Sequence, residues 1–125
     1  MVKGVGIDII EIERMEQALI RRGSLRERLF TGQEIACCLE RSRPAASLAA
    51  RFAAKEAVRK ACSRALPGQV LPWREIDLVL ADGRPEVRLS GKSAQLVSGA
   101  GIVNLQVSLT HGRDYACAVV VAEGA

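Results

Sequence analysis

Residues 2 to 10 alternate along the chain, with Val5, Ile7 and Ile9 on one face and Gly4, Gly6, Asp8 and Ile10 on the other, which predicts a first strand. From about residue 11 to 22 the period lengthens. Ile12, Met15 and Leu19 recur at helical spacing, while Arg14, Ala18, Arg21 and Arg22 share the other side. Thr31 followed by Glu34 has the form of a capping box and opens a short second helix to about Glu40, after which Arg41 to Pro44 break the chain. Ser47 is the expected cap of a third helix of about four turns, on which Arg51, Lys55 and Arg59 form an i, i+4, i+8 ridge beside the row of Phe52, Glu56 and Lys60.

Pro67-Gly68 and Pro72 end that helix in a loop. Ile76, Leu78 and Leu80 then alternate as a strand, Asp82-Gly83 signals a tight hairpin turn, and Val87 and Leu89 continue the return strand. A short helix is expected over Gly91 to Ser98, a strand through Leu105, Val107 and Leu109 ending at His111, and a turn at Gly112-Arg113-Asp114. Tyr115 to Ala122 reads as an apolar closing strand. One strand, then helices, then mostly antiparallel strands is the order of an α+β fold with a sheet packed against helices. There is no internal repeat, linker or low-complexity segment, so residues 1–125 are expected to form one domain, small enough to gain from burying a face against a further copy of itself.

Composition narrows the function classes. Half of the residues are apolar and a quarter charged, an ordinary globular mixture that excludes a disordered tail. The net charge of +4 is modest but uneven, because Arg14, Arg21, Arg22, Arg26 and Arg28 crowd one segment and favour an acidic partner or anionic substrate. Nucleic acid suits the sign of the charge, but four aromatic residues make a poor base-stacking platform. Cys37, Cys38, Cys62 and Cys117 lack metal-ligand spacing and are expected to be reduced, with no role for Cys37 and Cys38 beyond packing. No apolar run approaches the roughly 20 residues needed to cross a bilayer, and no secretory leader precedes the first strand, so the expected location is cytoplasmic, away from membranes.

Two acids stand out. Asp8 shares a strand face with glycines, and Glu56 sits on a helix row with Phe52 and Ala49. A carboxylate on a core-facing row must be paired, protonated or bound to a cation. Taken alone, Asp8 fits a strand-end acid satisfied by backbone amides as well as it fits a ligand, and Glu56 fits a surface pair with Arg59 or Lys60. Together with Lys60, His111 and the arginine ridge, the pair suits magnesium and phosphate chemistry, since magnesium uses one or two protein carboxylates and takes its other ligands from water and substrate phosphates. Gly4-x-Gly6 is no dinucleotide fingerprint, because Ile9 stands where a third glycine is needed, and no Walker loop is present.

The blocks GIDIIEIERM at 6–15, RLFTGQE at 28–34, RFAAKEAVRKA at 51–61 and VSLTHGRDYA at 107–116 closely resemble the holo-(acyl-carrier-protein) synthases, the short type of 4′-phosphopantetheinyl transferase. The resemblance runs from the first strand to the last, in order. It implies transfer of the phosphopantetheine arm of coenzyme A to a serine of apo acyl carrier protein, for fatty acid or related biosynthesis, with release of adenosine 3′,5′-bisphosphate. It further implies Asp8 and Glu56 as ligands of Mg2+, with Mn2+ a possible substitute, Lys60 beside the scissile diphosphate, and Arg51, Lys55 and His111 lining the coenzyme A site. The carrier is acidic, which gives Arg14, Arg21, Arg22 and Arg28 a docking task, and the assembly implied is a homotrimer with sites between subunits. The base acting on the carrier serine stays open between Glu56, a water on the metal and no dedicated group. One departure is the stretch 62–69, Cys-Ser-Arg-Ala-Leu-Pro-Gly-Gln, where relatives have a glycine-rich loop. The competing readings are a catalytically silent carrier-binding domain and a small basic nucleic-acid module.

Overall fold

A 19-residue helix, α4 (Pro44–Cys62), is the element against which the rest of the chain packs. The computed structural model describes residues 1–125. Ahead of α4 come β1 (Val2–Glu11), α1 (Ile12–Arg21), α2 (Leu25–Leu29) and α3 (Gly32–Leu39); after it come β2 (Ile76–Ala81), β3 (Arg84–Leu89), α5 (Gly91–Gly99), β4 (Ile102–His111) and β5 (Tyr115–Gly124). The expected α+β order holds. The strands form two antiparallel sheets, β1-β5-β4 and the β2-β3 hairpin, the latter turning at Asp82-Gly83 with both residues at positive φ.

The closing strand is central in its sheet. Residues Ala118, Val120 and Ala122 of β5 are buried and meet a row of small side chains on α4, Ala53, Ala54, Ala57 and Ala61, while buried Ala116 meets Ala46, Ala49 and Ala50 earlier in the helix. Small residues on both sides let helix and sheet approach closely, and the glycines of β1 extend this: a Cβ on Gly6 would overlap the Ala57 carbonyl oxygen, and one on Gly4 would overlap that of Ala61. The Gly-x-Gly spacing therefore exists to seat α4 on β1. Its opposite face is unexpected: Val5, Ile7 and Ile9 each remain about 60% exposed. Their cross-strand neighbours on β5 are Val121, Val119 and Cys117, so an apolar stripe runs along the outside of the sheet.

One local expectation is corrected, two short elements are added and the capping box is confirmed. Helix α4 begins at Pro44 rather than at Ser47, because proline's fixed φ and missing N–H suit the first helical position, and Ser47 lies buried in the first turn. The segment between α1 and α3 contains α2, a five-residue helix too short for a periodic signal, and Trp73–Glu75 forms a single 3₁₀ turn. The Thr31 capping box is present in both directions, with Glu34 N–H donating to Thr31 Oγ1 at 3.2 Å and Thr31 N–H donating to Glu34 Oε1 at 2.9 Å.

Candidate active site

The close seating of α4 on β1 brings the two predicted acids together. Asp8 points from β1 toward α4, where Lys60 donates to Asp8 Oδ1 at 3.0 Å and to the Ile7 carbonyl at 2.9 Å. That leaves Asp8 Oδ2 buried with no hydrogen-bond partner. Glu56 stands one turn before Lys60 and is half-buried; burial pushes its carboxyl above the ordinary value, and the nearby charge of Asp8 pushes it further, against the opposing pull of Arg59 and Lys60. Two carboxylates that repel each other, one with an orphaned buried oxygen, are a donor set for a hard divalent cation. No group of three or more His, Cys, Asp or Glu clusters elsewhere as an alternative metal site.

The basic ridge of α4 divides into residues with different fates. Lys55 is fully buried, and its ammonium is spent: it pairs with Glu34 at 2.7 Å and donates to the carbonyls of Ile76 at 2.7 Å and Trp73 at 2.9 Å. Burial pulls its pKa down and Glu34 pulls it back up. Lys55, expected from the resemblance to line the coenzyme A site, is instead placed as the tie between α3, α4 and β2. Arg59 is not a wet surface residue either; its guanidinium lies 3.0 Å from the Trp73 ring centroid and Nε donates to the Leu71 carbonyl at 2.8 Å.

Arg51 differs from both. It is 7% exposed, its Nε is buried without a partner, it takes part in none of the chain's ion pairs, and its only recorded bond runs from Nη2 to Cys37 Sγ at 3.3 Å. A buried guanidinium with no anion is costly unless a ligand supplies one. It lines a cleft of about 350 Å3 together with Arg41, Ser47, Thr110 and His111, walled by Leu80 and Pro85. Arg41 and Ser47 join this cleft although the sequence pattern points to a chain break at Arg41 and a helix cap at Ser47.

Arg14, Arg21, Arg22 and Arg28 are all exposed on the α1–α2 side, whereas Arg26 is tied to Glu27 at 3.2 Å. Between α1 and β1 a groove of about 370 Å3 has Arg14 on its rim and Met15 and Phe52 in its lining, and Phe52 is one helical turn from Glu56. The basic helix and the paired acids therefore open on one side of α4. A wider cleft, about 680 Å3, lies at the starts of α1 and α4 and carries Glu11, Glu13, Glu16 and Asp114 against Arg43 and Arg113, so acids outnumber bases and the lining suits anionic substrates less than the Arg51 cleft does.

A family profile described as the 4′-phosphopantetheinyl transferase superfamily matches residues 4–120. The chain belongs to the holo-(acyl-carrier-protein) synthase family within that superfamily. It is 48% identical over 119 residues to the holo-[acyl-carrier-protein] synthase of Moorella thermoacetica, covering 94% of this chain and 91% of that one. It is 46% identical to that of Streptomyces griseus over 125 residues, covering 99% and 100%. Among solved structures, the ACPS–CoA complex of Chronobacterium ammoniagenes aligns with a TM-score of 0.85 at 32% identity, over 98% of this chain and 97% of that one.

Proposed function

We propose that this chain transfers the 4′-phosphopantetheine group of coenzyme A to a serine of apo acyl carrier protein, giving holo carrier and adenosine 3′,5′-bisphosphate. The observation that carries the reading is the Asp8–Lys60 pair with its unpartnered Oδ2 beside Glu56, because it couples a cation-ready acid pair to a fixed ammonium. Asp8 and Glu56 would hold Mg2+, or Mn2+ in its place, and the ion would supply positive charge to offset that of the diphosphate. Lys60 keeps Asp8 oriented through Oδ1 and has one N–H left for the departing phosphate oxygen. The carrier serine is the nucleophile.

Coenzyme A carries a second anionic group, the 3′-phosphate, and Arg51, Arg41 and His111 in the basic cleft receive it. Support comes from the bare buried guanidinium. Arg51 and Lys60 are nine residues apart on α4 and so point about half a turn away from each other. Lys60 faces β1 and Arg51 faces α3 and β2, which favours a coenzyme A site shared between neighbouring copies. The apolar stripe of Val5, Ile7, Ile9 and Val119 provides the contact for a homotrimer.

The exposed arginines of α1 and α2 dock an acidic carrier over the Arg14–Phe52 groove, so that its serine approaches Asp8 and Glu56. Residues 1–125 act as one transferase domain in the cytoplasm, serving fatty acid or related biosynthesis, without nucleic acid or membrane; no helix is long and apolar enough to cross a bilayer. Incubation with apo carrier, coenzyme A and Mg2+ should add phosphopantetheine to the carrier by mass spectrometry, and chelation should stop it. An unmodified carrier in the presence of metal would overturn the reading.

A further inference from the structure

Cys37 was expected to serve packing alone, yet its sulfur is the sole acceptor recorded for the Arg51 guanidinium, at 3.3 Å from Nη2. Cys37 lies on α3, half-buried, and Arg51 lies on α4, more than nine-tenths buried with Nε unpartnered. We infer that Cys37 is a positioning residue: its thiol fixes the direction of Arg51 into the basic cleft while leaving the guanidinium charge uncompensated for an incoming phosphate. This rests on the proposed use of that cleft for the coenzyme A 3′-phosphate.

The chemistry of the acceptor is what makes the device work. A thiol is a weak, neutral acceptor, so it directs an N–H without neutralising the cation. A carboxylate at the same place would form a charge-assisted bond to Arg51 and remove its need for a ligand anion. The neighbouring Lys55 shows that alternative within this chain: Glu34 and two carbonyls consume its ammonium, and nothing is left for a ligand. Cys38, the adjacent thiol, is fully buried and makes no hydrogen bond to Arg51, so Cys37 alone of the two directs it.

The test compares Cys37→Ala, Cys37→Ser and Cys37→Asp in the full chain, each checked for intact folding by thermal unfolding. Calorimetry measures binding of adenosine 3′,5′-bisphosphate and of adenosine 5′-monophosphate, which lacks the 3′-phosphate; steady-state assays measure kcat and the KM for coenzyme A. Loss of one hydrogen bond in Cys37→Ala should weaken bisphosphate binding and raise KM by about three- to tenfold, with monophosphate binding and kcat unchanged. Cys37→Ser should restore both, and Cys37→Asp should weaken the bisphosphate on the order of tenfold or more. Equal weakening of both nucleotides, no rescue by serine, or wild-type binding in the aspartate variant would each overturn the proposal. A wild-type chain that binds the bisphosphate selectively but leaves carrier unmodified would sink the transferase reading and not this one.

Discussion

Among individual residues, what separates a structural charge from a functional one is whether its hydrogen-bonding capacity is already used. Lys55 and Arg51 lie on the same ridge of α4 and both are buried, but only Lys55 has a full set of partners. Lys55→Met should therefore cost about 3 to 5 kcal/mol in chemical denaturation, since it leaves the buried Glu34 carboxylate without its cation, and Glu34→Leu should not rescue it, because Glu34 also accepts from the Thr31 and Leu78 amides. Glu56 gives a pH prediction. Its carboxyl is raised on folding, so the folded state binds this proton more tightly than the unfolded chain; the stability present at low pH is lost as pH rises through the raised value. Mg2+ needs the ionised form, so the Mg2+-induced rise in Tm should grow over that same interval. Glu56→Gln should abolish both trends in thermal melts and reduce transfer on the order of a hundredfold or more.

At the level of elements, the site depends on how near α4 lies to β1. Gly6→Ala forces a methyl group into the Ala57 carbonyl, and the helix must move away from the strand that carries Asp8. The expected cost is about 1 to 3 kcal/mol of stability, with a loss of transfer larger than that destabilisation explains, measured under conditions where the variant is fully folded. Helix α1 buries Ile12 and Met15 against α4 and turns Arg14 and Arg21 outward. Arg14→Glu with Arg21→Glu should raise the KM for the carrier strongly while binding of adenosine 3′,5′-bisphosphate stays unchanged, and wild-type KM should rise with salt. A carrier KM indifferent to both would end the docking proposal.

On the scale of the whole molecule, the outer face of the three-stranded sheet is the feature that a lone chain leaves unexplained. Val5, Ile7 and Ile9 stand in solvent although each is more apolar than the glycines that pack inward beside them. Ile7→Lys should lower the mass measured by light scattering to that of one chain and, because the proposed coenzyme A site spans two copies, should reduce transfer with it. A variant that stays assembled, or a fully active single chain, would contradict that arrangement.

The strands, the principal helices, the capping box and the hairpin were legible in the chain, since period and turn chemistry are local properties written in neighbouring residues, and the family motifs picked out Asp8, Glu56 and Lys60, which the fold brings close together. The start of α4 was misread because Ser47 and Pro44 both carry start signals, and the competition was decided by burial of the first turn. Which face of β1 meets the core, and whether Arg51 or Lys55 is free to bind an anion, depended on partners at a distance: α4 against the glycines, Glu34 and the Trp73 carbonyl around Lys55, Cys37 beside Arg51. Sequence names the charged groups, but the desolvation and the hydrogen-bond partners that decide their work exist only once the chain has folded.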